Sequence, residues 1–188
     1  MIRQTRLLWN RQKFDQMAAT NQEAVNAFNS RMLPALLFMG WALMLLPIIA
    51  VPISHTKAAA LPAYISCLIT FLLLYLLFQT GPLKRHVLSG LYSAFSILFL
   101  LGIYLSVIHS PNMRATVLLA GFILMPLSII DRPRKVSAFL IFWLLVHTIL
   151  AAFLKPRYAL DDTINCICAG VLGSFIGRLV VQDPPGAI

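Results

Sequence analysis

Two aspartates and an asparagine open the last apolar stretch of the chain, in DDTINCICAG, and one histidine interrupts the apolar run FWLLVHTIL. His147 is suited to contact a ligand or sense a proton, since imidazole titrates near neutral pH. The blander reading is a packing histidine hydrogen-bonded to a neighbouring helix. Asp162 can cap the helix it precedes, its carboxylate accepting from orphan backbone N–H groups. Asn165 follows three residues later on the same helical face. Capping does not explain it, so it requires a partner in the protein or a water-lined cavity. Together His147, Asp162 and Asn165 are the candidate ligand-binding residues, a polar patch opening outwards.

A second polar group lies in DRPRK. Proline fixes its own backbone and disfavours helix in the residue before it, so Asp131, Arg132 and Pro133 read as a rigid turn with local charge pairing. Arg178 closes the last apolar stretch, where its long side chain can snorkel to a membrane edge or take part in gating. Asp131, Arg132 and Arg178 are the candidate signal-coupling residues. No Gly-rich phosphate loop, His-Glu-x-x-His, Cys-x-x-Cys or Gly-x-Ser-x-Gly occurs in the sequence. Cys166 and Cys168 fall about 200° apart on a helix and cannot clamp one metal together. With Cys67 they read as packing residues, and an odd count does not suggest a disulfide framework. Neither a metal nor a cofactor is expected.

The elements that must hold these residues are membrane spans. Of 188 residues, 60% are hydrophobic and 11% charged, with mean hydropathy +0.84. A soluble domain is roughly half apolar and about a quarter charged, and could not hide so much apolar surface. Apolar runs long enough to cross a bilayer, about 17–25 residues, fall at Met32–Ile53, Ala58–Phe78, Val87–Ile108, Val136–Leu154 and Thr163–Val181. Ala115–Ile130 is shorter and contains Pro126. The expected fold is an all-α polytopic bundle of six transmembrane helices (residues 32–181), preceded by an N-terminal amphipathic helix (1–31) and followed by a short tail (182–188). The N-terminal segment has no signal-peptide pattern. Its stripe of Leu7, Phe14, Ala18, Val25, Phe28 and Met32 is helical, and fits either an extension of the first span or a helix lying on the inner leaflet.

Lysine and arginine placement sets the expected orientation. With both termini in the cytoplasm, the inner side holds Arg3, Arg6, Arg11, Lys13, Arg31, Lys84, Arg85, Arg132, Arg134, Lys135 and Arg178. The outer side holds Lys57, Arg114, Lys155 and Arg157. Eleven against four favours that arrangement. The net charge of +9 then reflects topology and attraction to anionic lipid. Nucleic-acid binding would need a folded basic domain and is not expected. Gly170, Gly173 and Gly177 share a face of the last span, and Gly173-x-x-x-Gly177 permits close helix approach, within the bundle or across a homodimer.

These features together resemble a family: a polar segment of the type NRQKFDQMAATNQ, GIYL in the third span, Ile130–Pro133 ending the fourth, Asp162–Asn165 opening the sixth, and Gly177-Arg178 closing it. The chain resembles the membrane-embedded sensory region of bacterial GGDEF-type diguanylate cyclases, over nearly its whole length. The resemblance implies a signal-input module in the bacterial inner membrane, coupled to a cytoplasmic output domain or protein that makes cyclic di-GMP. The sequence contains no Gly-Gly-Asp/Glu-Glu-Phe loop, so catalysis is not expected of this chain. After Arg178 come only LVVQDPPGAI, where Pro184-Pro185-Gly186 would stop a helix; truncation or a stand-alone relative of the input module would account for that. The alternatives are a substrate-binding membrane subunit of a vitamin or metal importer, whose pocket would use the same outer polar residues, and a structural membrane protein with no ligand, whose polar residues only cap and pack.

Overall fold

The computed structural model describes residues 22–54, 60–109 and 115–182, and the side chains of all but 51–54 and 178–182 among them. The helices are α1 (Gln22–Ser54), α2 (Leu61–Gln79), the single turn α3 (Pro82–Arg85), α4 (Val87–Ile103), α5 (Thr116–Ser128), α6 (Pro133–Leu154) and α7 (Pro156–Gln182). A π-helical turn, Tyr104–His109, continues α4. Proline starts four of them (α2, α3, α6 and α7) at the first or second position, where its missing N–H costs nothing. Gly81, at φ 108°, makes the left-handed step between α2 and α3, which a residue with a side chain rarely adopts.

Among the described residues, five helices are long and apolar enough to cross a membrane, and α5 is a shorter apolar helix. Large apolar side chains point outwards from every long helix, among them Phe38, Leu73, Leu100, Phe142, Phe153 and Phe175. Water would not tolerate that surface, whereas lipid is as apolar as the side chains it meets. The protein is an all-α, multi-span membrane bundle. Helix α4 is its centre, with half of its span buried against 11% for α2. Neighbours pack in the order α2, α1, α4, α5, α7, α6, and α6 closes onto α4 through rings. Phe99 lies 5.0 Å from Phe122, 5.8 Å from Trp143 and 6.0 Å from Phe139.

Two element boundaries differ from the sequence reading. Helix α1 passes residue 31 without a break, so Val25, Phe28 and Met32 belong to the first span's own helix. Residues 1–21, with Leu7, Phe14 and Ala18, and the tail from 183 onwards lie outside the described residues. The last helix starts at Pro156, seven residues before Thr163. Proline at a first helical position, followed by RYAL, is enough to begin it.

The glycine face of α7 is turned to α5. A Cβ on Gly173 would stand 2.6 Å from the Ile123 carbonyl oxygen, and one on Gly177 would overlap the Pro126 carbonyl. Gly170 meets only the Phe122 ring, at 3.4 Å. This face packs within the bundle and is not available to a second copy. At the same end of α5, proline at 126 cannot donate to the preceding turn, and the helix gives way to extended backbone at Ile129.

Asn29 of α1 secures that break. Its Nδ2 donates to the Ile130 carbonyl at 2.9 Å, and its Oδ1 accepts from the Ile130 N–H at 3.1 Å. A buried amide thus pairs with both backbone groups of one residue, as a neighbouring strand would. Asn29→Ala is expected to lower stability by about 1–2 kcal/mol, read as the thermal unfolding midpoint of detergent-purified protein. Asn29→Asp sets a carboxylate oxygen against the Ile130 carbonyl in a buried site and should lose more.

Candidate functional site

Helix α5 has 13 residues, about 20 Å of rise, against a hydrocarbon core about 30 Å thick. One of its ends must lie below the surface of the bundle. Its first residues are level with the second turn of α7, because Ala115, which precedes α5, donates its N–H to Asp162 Oδ1 at 3.3 Å. Asp162 is six residues into α7, about 9 Å from its start. The N-terminus of α5 is therefore inset, with orphan N–H groups and the positive end of the helix dipole facing protein.

Asp162 supplies the negative charge that such a terminus needs. It is 0% exposed, and its Oδ2 accepts a 2.7 Å ion pair from Lys155 Nζ, also 0% exposed at the side chain. Lys155 joins α6 to α7, and its Nζ donates to Ser106 Oγ at 3.4 Å as well. Ser106 is buried in the π-turn of α4; such turns commonly mark places where a helix is locally re-aimed for function. One carboxylate and one ammonium thus join the ends of α4, α5, α6 and α7. Isolated, either charge would be prohibitively costly away from water, and the pair persists because each offsets the other.

The α6–α7 hairpin sets the register around this pair. Thr163 donates to the Ala159 carbonyl at 2.7 Å, so the 3.1 Å contact between Thr148 and Thr163 uses Thr148 as the donor. That contact brings His147 to the level of Asp162. His147 is fully buried, and it and Cys166, one turn beyond Asp162, both lie within electrostatic reach of the Lys155–Asp162 pair. Neither nitrogen of His147 has a hydrogen-bond partner among the described residues, and Trp143 Nε1, one turn away, has none either. Buried polar atoms in this state are rare and each costs about 1–3 kcal/mol.

Several sequence expectations are corrected here. Asp162 does not cap its own helix, since that helix begins at Pro156; it caps α5 from outside. It does not open to the exterior with Asn165, which is half-buried beside it, because Lys155 closes over its carboxylate. His147 is buried as a packing histidine would be, but among the described residues neither of its nitrogens is bonded to a neighbouring helix. Lys155, counted as a loop cation, is the buried counter-charge that sequence reasoning missed. A Lys-to-Asp spacing of seven, two turns across a Pro-initiated helix, was the available signal.

At the opposite end of the bundle, Asp131 Oδ2 accepts from the Tyr92 hydroxyl at 3.0 Å, and Oδ1 accepts from the Arg132 N–H at 2.6 Å. This fixes the turn into α6 to the central helix α4. The Arg132 side chain is exposed. Arg178 is in the last turns of α7, and its side chain lies outside the described residues. Among the described residues, no three His, Cys, Asp or Glu side chains gather as a metal site, and the three cysteines are free thiols. Comparison with protein-family models, with curated proteins and with solved structures returns no match.

Proposed function

We propose that this chain is a membrane-embedded signal-input module, of the kind that precedes the catalytic domain of diguanylate cyclases, with the Lys155–Asp162 pair as its switch. The observation that carries this reading is a buried ion pair at the inset N-terminus of α5, beside a histidine with no hydrogen-bond partner among the described residues. Such a pair is a costly way to close a bundle but a suitable one to reopen it. Charge that enters or leaves its surroundings changes which helix ends it joins. Helix α5 transmits the change to its far end, where Asn29, Tyr92 and Asp131 hold the turn into α6.

In this reading six helices cross the inner membrane of a bacterium, an amphipathic segment precedes them, and both termini face the cytoplasm. The Asp162 end faces outwards, and the Asp131–Arg132 end, with Arg178, reports to a cytoplasmic output domain or protein, in a monomer or a homodimer. A stimulus shifts such a two-state bundle only through its differential affinity for the two states. The test is to fuse α7 to a diguanylate cyclase output domain and measure cyclic di-GMP at constant expression. Asp162→Asn is expected to change output by about tenfold, the effect of about 1.4 kcal/mol on a two-state equilibrium. Output unchanged in Asp162→Asn, Asn165→Ala and His147→Gln alike would remove this end of the bundle from signalling.

A further inference from the structure

The geometry points to His147 as a proton-binding site whose occupation draws Asp162 away from the N-terminus of α5. This inference rests on the signal-input reading and names its stimulus as acidification. His147 is 0% exposed with both ring nitrogens unpartnered, and a proton is the one ligand that a packed interior can admit without opening a cavity. The neutral ring leaves an acceptor and a donor unused; the imidazolium has two donors and a charge, with both the Asp162 carboxylate and the Lys155 ammonium in electrostatic reach.

The two oxygens of Asp162 are not held equally. Oδ2 is fixed by Lys155 at 2.7 Å, whereas among the described residues Oδ1 accepts the long 3.3 Å bond from Ala115 N–H. An imidazolium attracts that carboxylate, and a shift that brings Oδ1 to the ring exchanges a long neutral bond for a charge-assisted one, which is roughly twice as strong. The exchange costs α5 its cap. Among the described residues, the charged groups reaching His147 are Asp162 of α7 and Lys155 at the α6–α7 junction. The Cys166 thiol lies within electrostatic reach of the same pair, and α4 and α5 contribute the uncharged Ser106 hydroxyl and the Ala115 backbone. One proton moves from bulk solvent to an imidazole nitrogen, and no covalent bond other than N–H forms.

The test uses the full chain in lipid nanodiscs, titrated from about pH 8 to about pH 4.5, a range that brackets histidine ionisation. Carbon-13 NMR of labelled histidine, assigned with His147→Gln, reads the ring, and hydrogen exchange reads the amides of residues 115–119. The expected result is a titrating His147 signal, with exchange at residues 115–119 about tenfold faster at low pH than in His147→Gln at the same pH. A His147 signal that does not titrate, or equal exchange in both proteins, overturns the proposal. If His147→Gln fails to fold, the wild-type signal is assigned by elimination with His55→Gln, His86→Gln and His109→Gln, and the wild-type exchange profile is compared at the two ends of the titration. The cyclic di-GMP assay at fixed pH stands apart: output responsive to Asp162→Asn with a silent His147 sinks the proton and leaves the signalling reading intact.

Discussion

Asp162→Ala is expected to destabilise the protein by about 3–5 kcal/mol, the cost of breaking a buried ion pair by removing one partner. The substitution takes the carboxylate from Lys155 and the acceptor from Ala115 N–H together. Its neighbour is the internal control. Asp161 is exposed, and Asp161→Ala should stay within about 0.5 kcal/mol of wild type, as surface substitutions do. Two adjacent, chemically identical residues thus differ by a large share of the stability of an ordinary domain, which is about 5–15 kcal/mol. Thermal or denaturant unfolding of the two variants in the same detergent reads the difference directly. Equal, small losses would mean that Asp162 is solvated.

Gly173→Val and Gly177→Val form the second prediction. Each places a branched side chain against backbone of α5, where neither the Ile123 carbonyl nor the Pro126 carbonyl can rotate aside. The expected loss is about 3 kcal/mol per substitution, the upper part of the range for overpacking a close-packed interior. Gly170→Ala, against the Phe122 ring at an ordinary distance, should be tolerated. Because α5 also carries the Ala115 cap, the valine variants should accelerate hydrogen exchange at residues 115–119, at the far end of the same helix.

Much of the bundle was legible because lipid imposes a simple rule on sequence: apolar runs of sufficient length are helices. The close approach at Gly173 and Gly177 was legible for a similar reason, since their spacing puts two missing side chains one turn apart. The short fourth run, with Pro126 inside it, already announced an incomplete helix. What it did not announce was which end would be inset, because that depends on Asp162 reaching Ala115 across 47 positions.

Lys155 was hidden by its sequence neighbours. A lysine before Pro-Arg at the end of an apolar run looks like a solvated loop residue, and only the fold turns its ammonium inwards. Asn29 was hidden in the same way within a polar segment, although its partner is Ile130, 101 positions away. Asn29 takes its meaning from a distant backbone break, and such breaks leave no periodic trace. The π-turn that places Ser106 is likewise a matter of one helical turn inside a uniformly apolar stretch.

Everything proposed for this end of the bundle depends on Lys155 and Asp162 acting as one unit away from water. A double-mutant cycle on Lys155→Met and Asp162→Leu measures that directly in the purified protein. Each single variant should lose several kcal/mol, and the double variant should recover most of the loss, so that the coupling is at least as large as either single loss, about 3–5 kcal/mol or more. Losses that simply add, to within about 0.5 kcal/mol, would show two independent, hydrated charges and contradict the ion-pair switch.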